Sequence, residues 1–194
     1  MDERVVKVDQ YFSTEFCDSI ISKAEALTFQ QGTVGVDNDS LEVYEELRVC
    51  DVAWLNSPIK DFDVYFSMCK LAKEVNEEAY KFDLDFPESF QVAKYTGNKK
   101  SKHDIHADNF VTKPEDLVQR KLSMSLILSD SSEYEGGNLE FYDGYPERNT
   151  IVSFSDLKKG TAIFFPSYLF HAVLPITKGT RYSLVGWFNG PRFK

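Results

Sequence analysis

The strongest constraint on this chain is a change of rhythm at Phe90. From there on, short runs of β-forming residues recur: Phe90–Tyr95, Lys121–Ser129, Asn138–Phe141, Thr150–Phe154, Thr161–Phe165, His171–Pro175 and Arg181–Phe188. Turn formers separate them at Thr96-Gly97-Asn98, Gly136-Gly137, Asp143-Gly144, Lys159-Gly160, Pro166-Ser167 and Lys178-Gly179. Strands this short bury little alone, so a series of them closes into a two-sheet jelly roll or a barrel. With 194 residues, no internal repeat and no linker, the pattern predicts a single domain over 1–194. Aromatic residues at 14%, led by 16 Phe and 10 Tyr, rule out a disordered chain and favour β-structure.

Residues ahead of Phe90 follow a helical period instead. Ser13 or Thr14 can cap a helix over Phe12–Leu27, with Glu15 in its first turn and Phe16, Ile20, Ala24 and Leu27 on one face. Val43–Leu55 is predicted to be extended. Ser57-Pro58 has the N-cap and first-turn chemistry of a second helix, running to about Tyr80 with Tyr65, Met68, Ala72, Val75 and Ala79 as its apolar stripe. The expected fold class is α+β, mainly β. A double-stranded β-helix (jelly roll) over about 88–190 carries helical support from about 12–80, packed on the outer face of one sheet.

A net charge of −9 opposes a nucleic-acid backbone as the main partner, because phosphate binding needs a basic surface, and suits a basic protein or peptide. Cys17, Cys50 and Cys69 are odd in number and lack CxxC spacing, so they read as buried free thiols. No apolar stretch approaches the roughly 18 residues needed to span a bilayer, and the first residues lack the apolar core of a secretory signal. Cytoplasmic localisation is the expectation. Oligomeric state leaves no mark on the sequence.

The chain has three histidines, His103, His106 and His171. His106-Ala107-Asp108 places an imidazole and a carboxylate at i and i+2, on one face if extended. His171 starts another strand, which a jelly roll can bring opposite. Two imidazoles and one carboxylate on one face of an octahedron leave three positions open on a metal such as Fe(II). An HxD triplet alone is more often a turn or a satisfied polar pair. The added weight comes from Arg181, ten residues after His171. Ser183, Val185 and Trp187 continue its alternating face, so Arg181 points inward, and a buried guanidinium needs an anionic partner.

Through Tyr95-x-Gly97, His106-x-Asp108, Arg120–Ser129, Tyr134–Glu140, Lys159–Ser167, His171-x-Val-x-Pro175, Gly179-x-Arg181 and Trp187, the sequence resembles 2-oxoglutarate/Fe(II) dioxygenases of the prolyl 4-hydroxylase type, including the PKHD-like hydroxylases. The resemblance implies iron ligation by His106, Asp108 and His171, and a pairing of Arg181 with the distal carboxylate of 2-oxoglutarate. It places Tyr95 and Ser183 near that co-substrate and Trp187 and His103 at the substrate pocket, and makes Gly136-Gly137 a tight turn beside the site. It also implies O2 as oxidant, ascorbate as an accessory reductant, and conversion of 2-oxoglutarate to succinate and CO2 as a prolyl residue of a protein or peptide is hydroxylated. Asp108 favours hydroxylation over halogenation, since halogenases of the wider group lack this carboxylate. Two departures stand out. His103 occupies a position where animal relatives often have Tyr, and Ser125–Leu128 lacks a Tyr that many relatives use to hold 2-oxoglutarate; Ser125 or Ser183 can supply that hydroxyl. Hydroxylation of a free amino acid or small metabolite, and a non-catalytic jelly-roll binding module, remain alternatives. A nucleobase dealkylase is disfavoured by the acidic charge.

Overall fold

The computed structural model describes residues 2–37, 40–42, 46–109, 117–144 and 148–192, with the side chains of 34–45 outside that description. The first half contains β1 (Val6–Val8), α1 (Thr14–Glu25), β2 (Gln30–Gln31), β3 (Val34–Asp37), β4 (Ser40–Glu42), β5 (Arg48–Val49), β6 (Asp51–Leu55) and α2 (Phe62–Val75). The second contains β7 (Phe90–Thr96), β8 (Lys102–His106), β9 (Val118–Ile127), β10 (Tyr134–Gly136), β11 (Leu139–Asp143), β12 (Asn149–Phe154), β13 (Ala162–Pro166), β14 (Phe170–Val173) and β15 (Ile176–Pro191). A large antiparallel sheet runs β1-β13-β9-β15-β7-β6-β2, with β10 also on β15, and a smaller one runs β12-β11-β14-β8-β5. The expected jelly roll is therefore present, with β3 and β4 forming a separate pair.

Period-two alternation divides the large sheet between two cores. Val92, Leu122, Met124, Leu126, Ala162, Phe164 and Leu184 face Ile20 and Ala24 of α1 and Met68, Leu71 and Ala72 of α2. Ala93, Tyr95, Ile127, Ile163 and Phe165 face inward onto Leu139, Phe141 and Val173 of the small sheet. Adjacent residues of one strand thus serve opposite layers, as the strand pleat requires.

The first helix starts as expected: Ser13 is its cap, its Oγ accepting from Phe16 N at 3.3 Å. The second starts later than Ser57-Pro58 predicts. Ser57 closes a preceding turn instead, accepting from Lys60 N at its side chain and from Asp61 N at its carbonyl, and α2 begins at Phe62. One α-turn of pattern is compatible with the sequence here, yet the chain must first leave β6 and swing onto the outer face. The helical path reaches Tyr80 through a π-helical turn at Asn76–Tyr80 and ends at Lys81 in the left-handed region. The extended segment after Glu46 divides at Cys50, so β5 joins the small sheet and β6 the large one; residues 43–45 lie outside the described residues.

Several strands fall outside the runs read from the sequence, β1 and β8 among them. β1 pairs only along β13, and β8, Lys-His-Asp-Ile-His, is too polar to read as a strand although it holds two of the three histidines. No helix among the described residues is long and apolar enough to cross a membrane.

Candidate metal centre

Strand pairing creates the centre. β14 and β8 run antiparallel with His171 directly opposite His106, and Asp108 follows two residues beyond. The Asp108 and Asn109 amides both donate to the Ser167 carbonyl at 2.9 Å, turning the chain so the carboxylate faces the imidazoles. One ligand atom from each of His106, Asp108 and His171 falls within 4.8 Å of the other two. His106 Nε2 lies 3.5 Å from Asp108 Oδ1, and His171 Nε2 lies 3.6 Å from Oδ2.

Each imidazole is oriented by the backbone. His106 Nδ1 meets the Asp104 carbonyl at 2.8 Å, and His171 Nδ1 meets the Leu169 carbonyl at 3.0 Å. A carbonyl can only accept, so Nδ1 carries the proton and the Nε2 lone pairs point at one another across the site. Asp108 accepts from Ser123 Oγ at 2.7 Å, and Ser123 shares a 2.9 Å hydrogen bond with Ser167 Oγ. Burial alone would raise the Asp108 carboxyl, but the His171 and His106 imidazoles and the Ser123 hydroxyl hold it below the ordinary carboxylate range. Burial, reinforced by His106, pushes His171 down to about 4. Neutral imidazoles beside an ionised carboxylate are the protonation state that a divalent metal requires.

The cavity beside the triad is lined on the small-sheet side by His103, Leu139 and Val173, and on the large-sheet side by Tyr95, Ser125, Ser183, Val185 and Trp187. β15 has the alternation expected of it: Arg181 stands opposite Tyr95 on β7, Ser183 opposite Ala93, and Val185 opposite Gln91. Arg181 is 1% exposed, and Nε, Nη1 and Nη2 all lack a hydrogen-bond partner. Its Cζ lies 5.5 Å from the Tyr95 ring centroid. A guanidinium buried without an acceptor is costly unless an anion completes it. The donor set and this unpaired cation together fit a divalent metal with a chelating co-substrate that ends in a carboxylate.

His103 stacks on His106, centroids 3.6 Å apart, and burial followed by the charges of His106 and Arg48 holds it well below the ordinary imidazole range. Trp187 is 6% exposed, lies 6.1 Å from Trp54 and carries the Arg120 guanidinium 4.1 Å above its ring. Arg120 is held by both carboxylate oxygens of Glu88 at 2.8 and 2.6 Å. Gly136 and Gly137 make the expected turn, both at positive φ, where a Cβ on Gly136 would come within 2.4 Å of the Pro175 carbonyl oxygen.

Sequence reasoning missed several residues here. Arg48 lines the same cavity, 8% exposed, donating to Cys50 Sγ at 3.0 Å, the Thr33 carbonyl at 3.0 Å and Gln91 Oε1 at 2.6 Å. Nothing in a short charged segment distinguishes it. Ser123 did leave a signal: serines at alternate positions of Leu122-Ser-Met-Ser-Leu126 are out of place in a strand buried on both faces. The sequence offers the loops around Asn109–Gln119 and Asp143–Asn149 as the ones that select substrate; of these, 110–116 and 145–147 lie outside the described residues.

A jelly roll holding two imidazoles, one carboxylate and an adjoining cation-lined cavity defines the class of mononuclear non-haem metal oxygenases. The chain belongs to the 2OG-Fe(II) oxygenase superfamily, whose sequence profile matches residues 90–189, just over half its length. Fe(II), 2-oxoglutarate and O2 are that family's cofactor set. Among similar proteins, the PKHD-type hydroxylase IL0759 of Idiomarina loihiensis is 32% identical over 97 residues, covering 50% of this chain and 42% of the relative. The chain thus spans less than half the length of the curated relatives it matches. The fold is shared with a Pseudomonas putida prolyl-4-hydroxylase (TM-score 0.68, 18% identity, covering 97% of this chain and 94% of that one). It is shared also with a Trichoplax adhaerens prolyl hydroxylase in complex with a hypoxia inducible factor oxygen degradation domain peptide fragment (TM-score 0.71, 16% identity, covering 96% and 84%).

Proposed function

We propose that the protein is a 2-oxoglutarate- and O2-dependent hydroxylase acting on a prolyl residue of a protein or peptide. The observation that carries this reading is the buried, unpartnered Arg181 guanidinium, which packs over Tyr95 and stands two residues before Ser183, both of them lining the cavity of the His106–Asp108–His171 centre. His106 and His171 would hold the metal through Nε2 and Asp108 through a carboxylate oxygen. Arg181 would take the distal carboxylate of the co-substrate as a fork, with Tyr95 and Ser183 lining its path. When bound, Fe(II) with 2-oxoglutarate and O2 supplies the oxidation of a C–H bond, with succinate and CO2 as co-products. The chain's own work is orientation: Asp104 and Leu169 fix the imidazoles, Ser123 fixes the carboxylate, and the apolar walls of Leu139, Val173 and Phe165 exclude water.

Trp187 and His103, both lining the cavity, would meet the substrate. The PKHD-type relatives and the shared fold of prolyl hydroxylases, one of them with a peptide bound, support the peptidyl-proline target. The acidic chain accords with a basic or proline-containing peptide. A free amino acid or small metabolite is the second reading, favoured by the buried Arg48 on the cavity wall, a cation able to take a carboxylate. Unpaired buried thiols at Cys17 and Cys50 suit a reducing, cytoplasmic setting. The remaining expectation, a single domain over 1–194, belongs to this reading as well.

The test is succinate formation from 2-oxoglutarate by anaerobically iron-loaded protein exposed to O2, with a proline-rich peptide library screened by mass spectrometry for gain of one oxygen. Turnover lost in His171→Ala is expected. Equal succinate yields from the parent and that variant would end the proposal.

A further inference from the structure

Among the described residues, seven buried side-chain polar atoms have no hydrogen-bond partner, and five of them belong to Thr96, Ser101 and Arg181. Backbone pairing brings the segments that carry these three residues together. β15 and β7 pair Thr180 with Thr96 and Arg181 with Tyr95. The Ser101 amide donates to the Thr96 carbonyl at 3.1 Å, and the Ser101 carbonyl accepts from Ile176 N at 2.9 Å. Gly137 packs between Ile176 and Arg181, since a Cβ there would lie 2.1 Å from Ile176 Cδ1 and 3.5 Å from Arg181 Cδ. Ser101 is thereby tied to the residue that walls in the Arg181 side chain.

Their positions tell the two hydroxyls apart. Tyr95 lines the cavity, so Thr96 points to the opposite face of β7. Ser101 stands two residues before His103, which lines the cavity, while Lys102 between them reaches solvent and pairs with Asp104. Ser101, just ahead of β8, is 0% exposed and lies two residues farther along the chain than His103 from the metal ligands. A carboxylate offers about four acceptor positions, and a guanidinium fork fills only two of them. Segment Ser125–Leu128 lacks the Tyr hydroxyl that many relatives direct here, and Ile127 is instead an apolar core residue.

We propose that Ser101 Oγ donates the further hydrogen bond to the distal carboxylate of 2-oxoglutarate, beside Arg181. This rests on the co-substrate reading above and deepens it: the hydroxyl comes from the segment before β8, whereas Ser125 and Ser183 line the cavity from β9 and β15. An orphaned buried hydroxyl destabilises the ligand-free protein, so its loss costs the empty fold nothing while weakening the complex.

The experiment titrates 2-oxoglutarate into Mn(II)-loaded protein, read by calorimetry and by the ligand-induced rise in melting temperature. Ser101→Ala is expected to weaken 2-oxoglutarate binding on the order of tenfold, as for one lost hydrogen bond to a charged group. Mn(II) affinity and the ligand-free melting temperature hold, Ser101→Cys falls between, and Thr96→Ala tracks the parent. A Ser101→Ala affinity indistinguishable from the parent's overturns the inference while leaving the co-substrate reading intact. A parent that binds no 2-oxoglutarate overturns both.

Discussion

The centre relies on single residues whose value lies in what they orient. Ser123 is outside the triad, yet its hydroxyl donates to Asp108 Oδ2, the oxygen facing His171, and so holds the carboxylate with Oδ1 toward His106. Removing such a support commonly costs about 10–100-fold in metal affinity, so Ser123→Ala should show that loss in a chelator-competition titration with Mn(II). An unchanged affinity would mean that the two Ser167 backbone bonds suffice to aim Asp108. The triad was legible from sequence because an i, i+2 pair needs only an extended backbone to share a face. Arg181 was legible because it falls in phase with Val185 and Trp187. Arg48 and Ser101 were not, since their importance comes from which neighbours the second sheet brings, and no local pattern records that.

At the scale of elements, the turn Gly136-Gly137 sets the approach of β10 to β15 and shapes the wall around Arg181. Gly136→Ala forces a side chain into positive φ and toward the Pro175 carbonyl oxygen. A cost of about 1–3 kcal/mol is expected in urea denaturation, typical of a strained backbone position. Ser57→Ala makes the contrasting case. It removes one turn hydrogen bond ahead of α2 rather than the helix cap that the sequence suggests, so a loss of only about 0.5 kcal/mol is expected. A loss near 2 kcal/mol would restore Ser57 as a true cap. The seven β-runs were readable because Gly and Pro mark their ends. β8 was not, because outward Lys102 and Asp104 and inward histidines give it no β-forming composition.

For the whole molecule, the buried Arg181 sets function against stability. Without an anion its guanidinium is desolvated and unpaired, which raises the free energy of the folded state. Arg181→Met should therefore raise the ligand-free unfolding free energy by about 1–2 kcal/mol while abolishing stabilisation by 2-oxoglutarate. Lower stability in the variant would show that the guanidinium finds acceptors the ligand-free fold supplies. Chelation makes a matching case. Stripping the metal from loaded protein should lower its melting temperature, since a ligand bound only by the native state stabilises it by mass action. His171→Ala should show no such difference.

The large sheet is a partition with helices on one side and the cavity on the other. Along β9, β13 and β15, neighbouring codons therefore answer to different pressures. Every second residue is bound by the packing of α1 and α2, while the residues between answer to the inner core and the cavity, where Ser123 and Arg181 are tied to the centre and Ser125, Ser183 and Val185 face whatever molecule is admitted. A lineage can in this way adjust its substrate at a few cavity-facing letters of β9 and β15, without disturbing the wall that carries them.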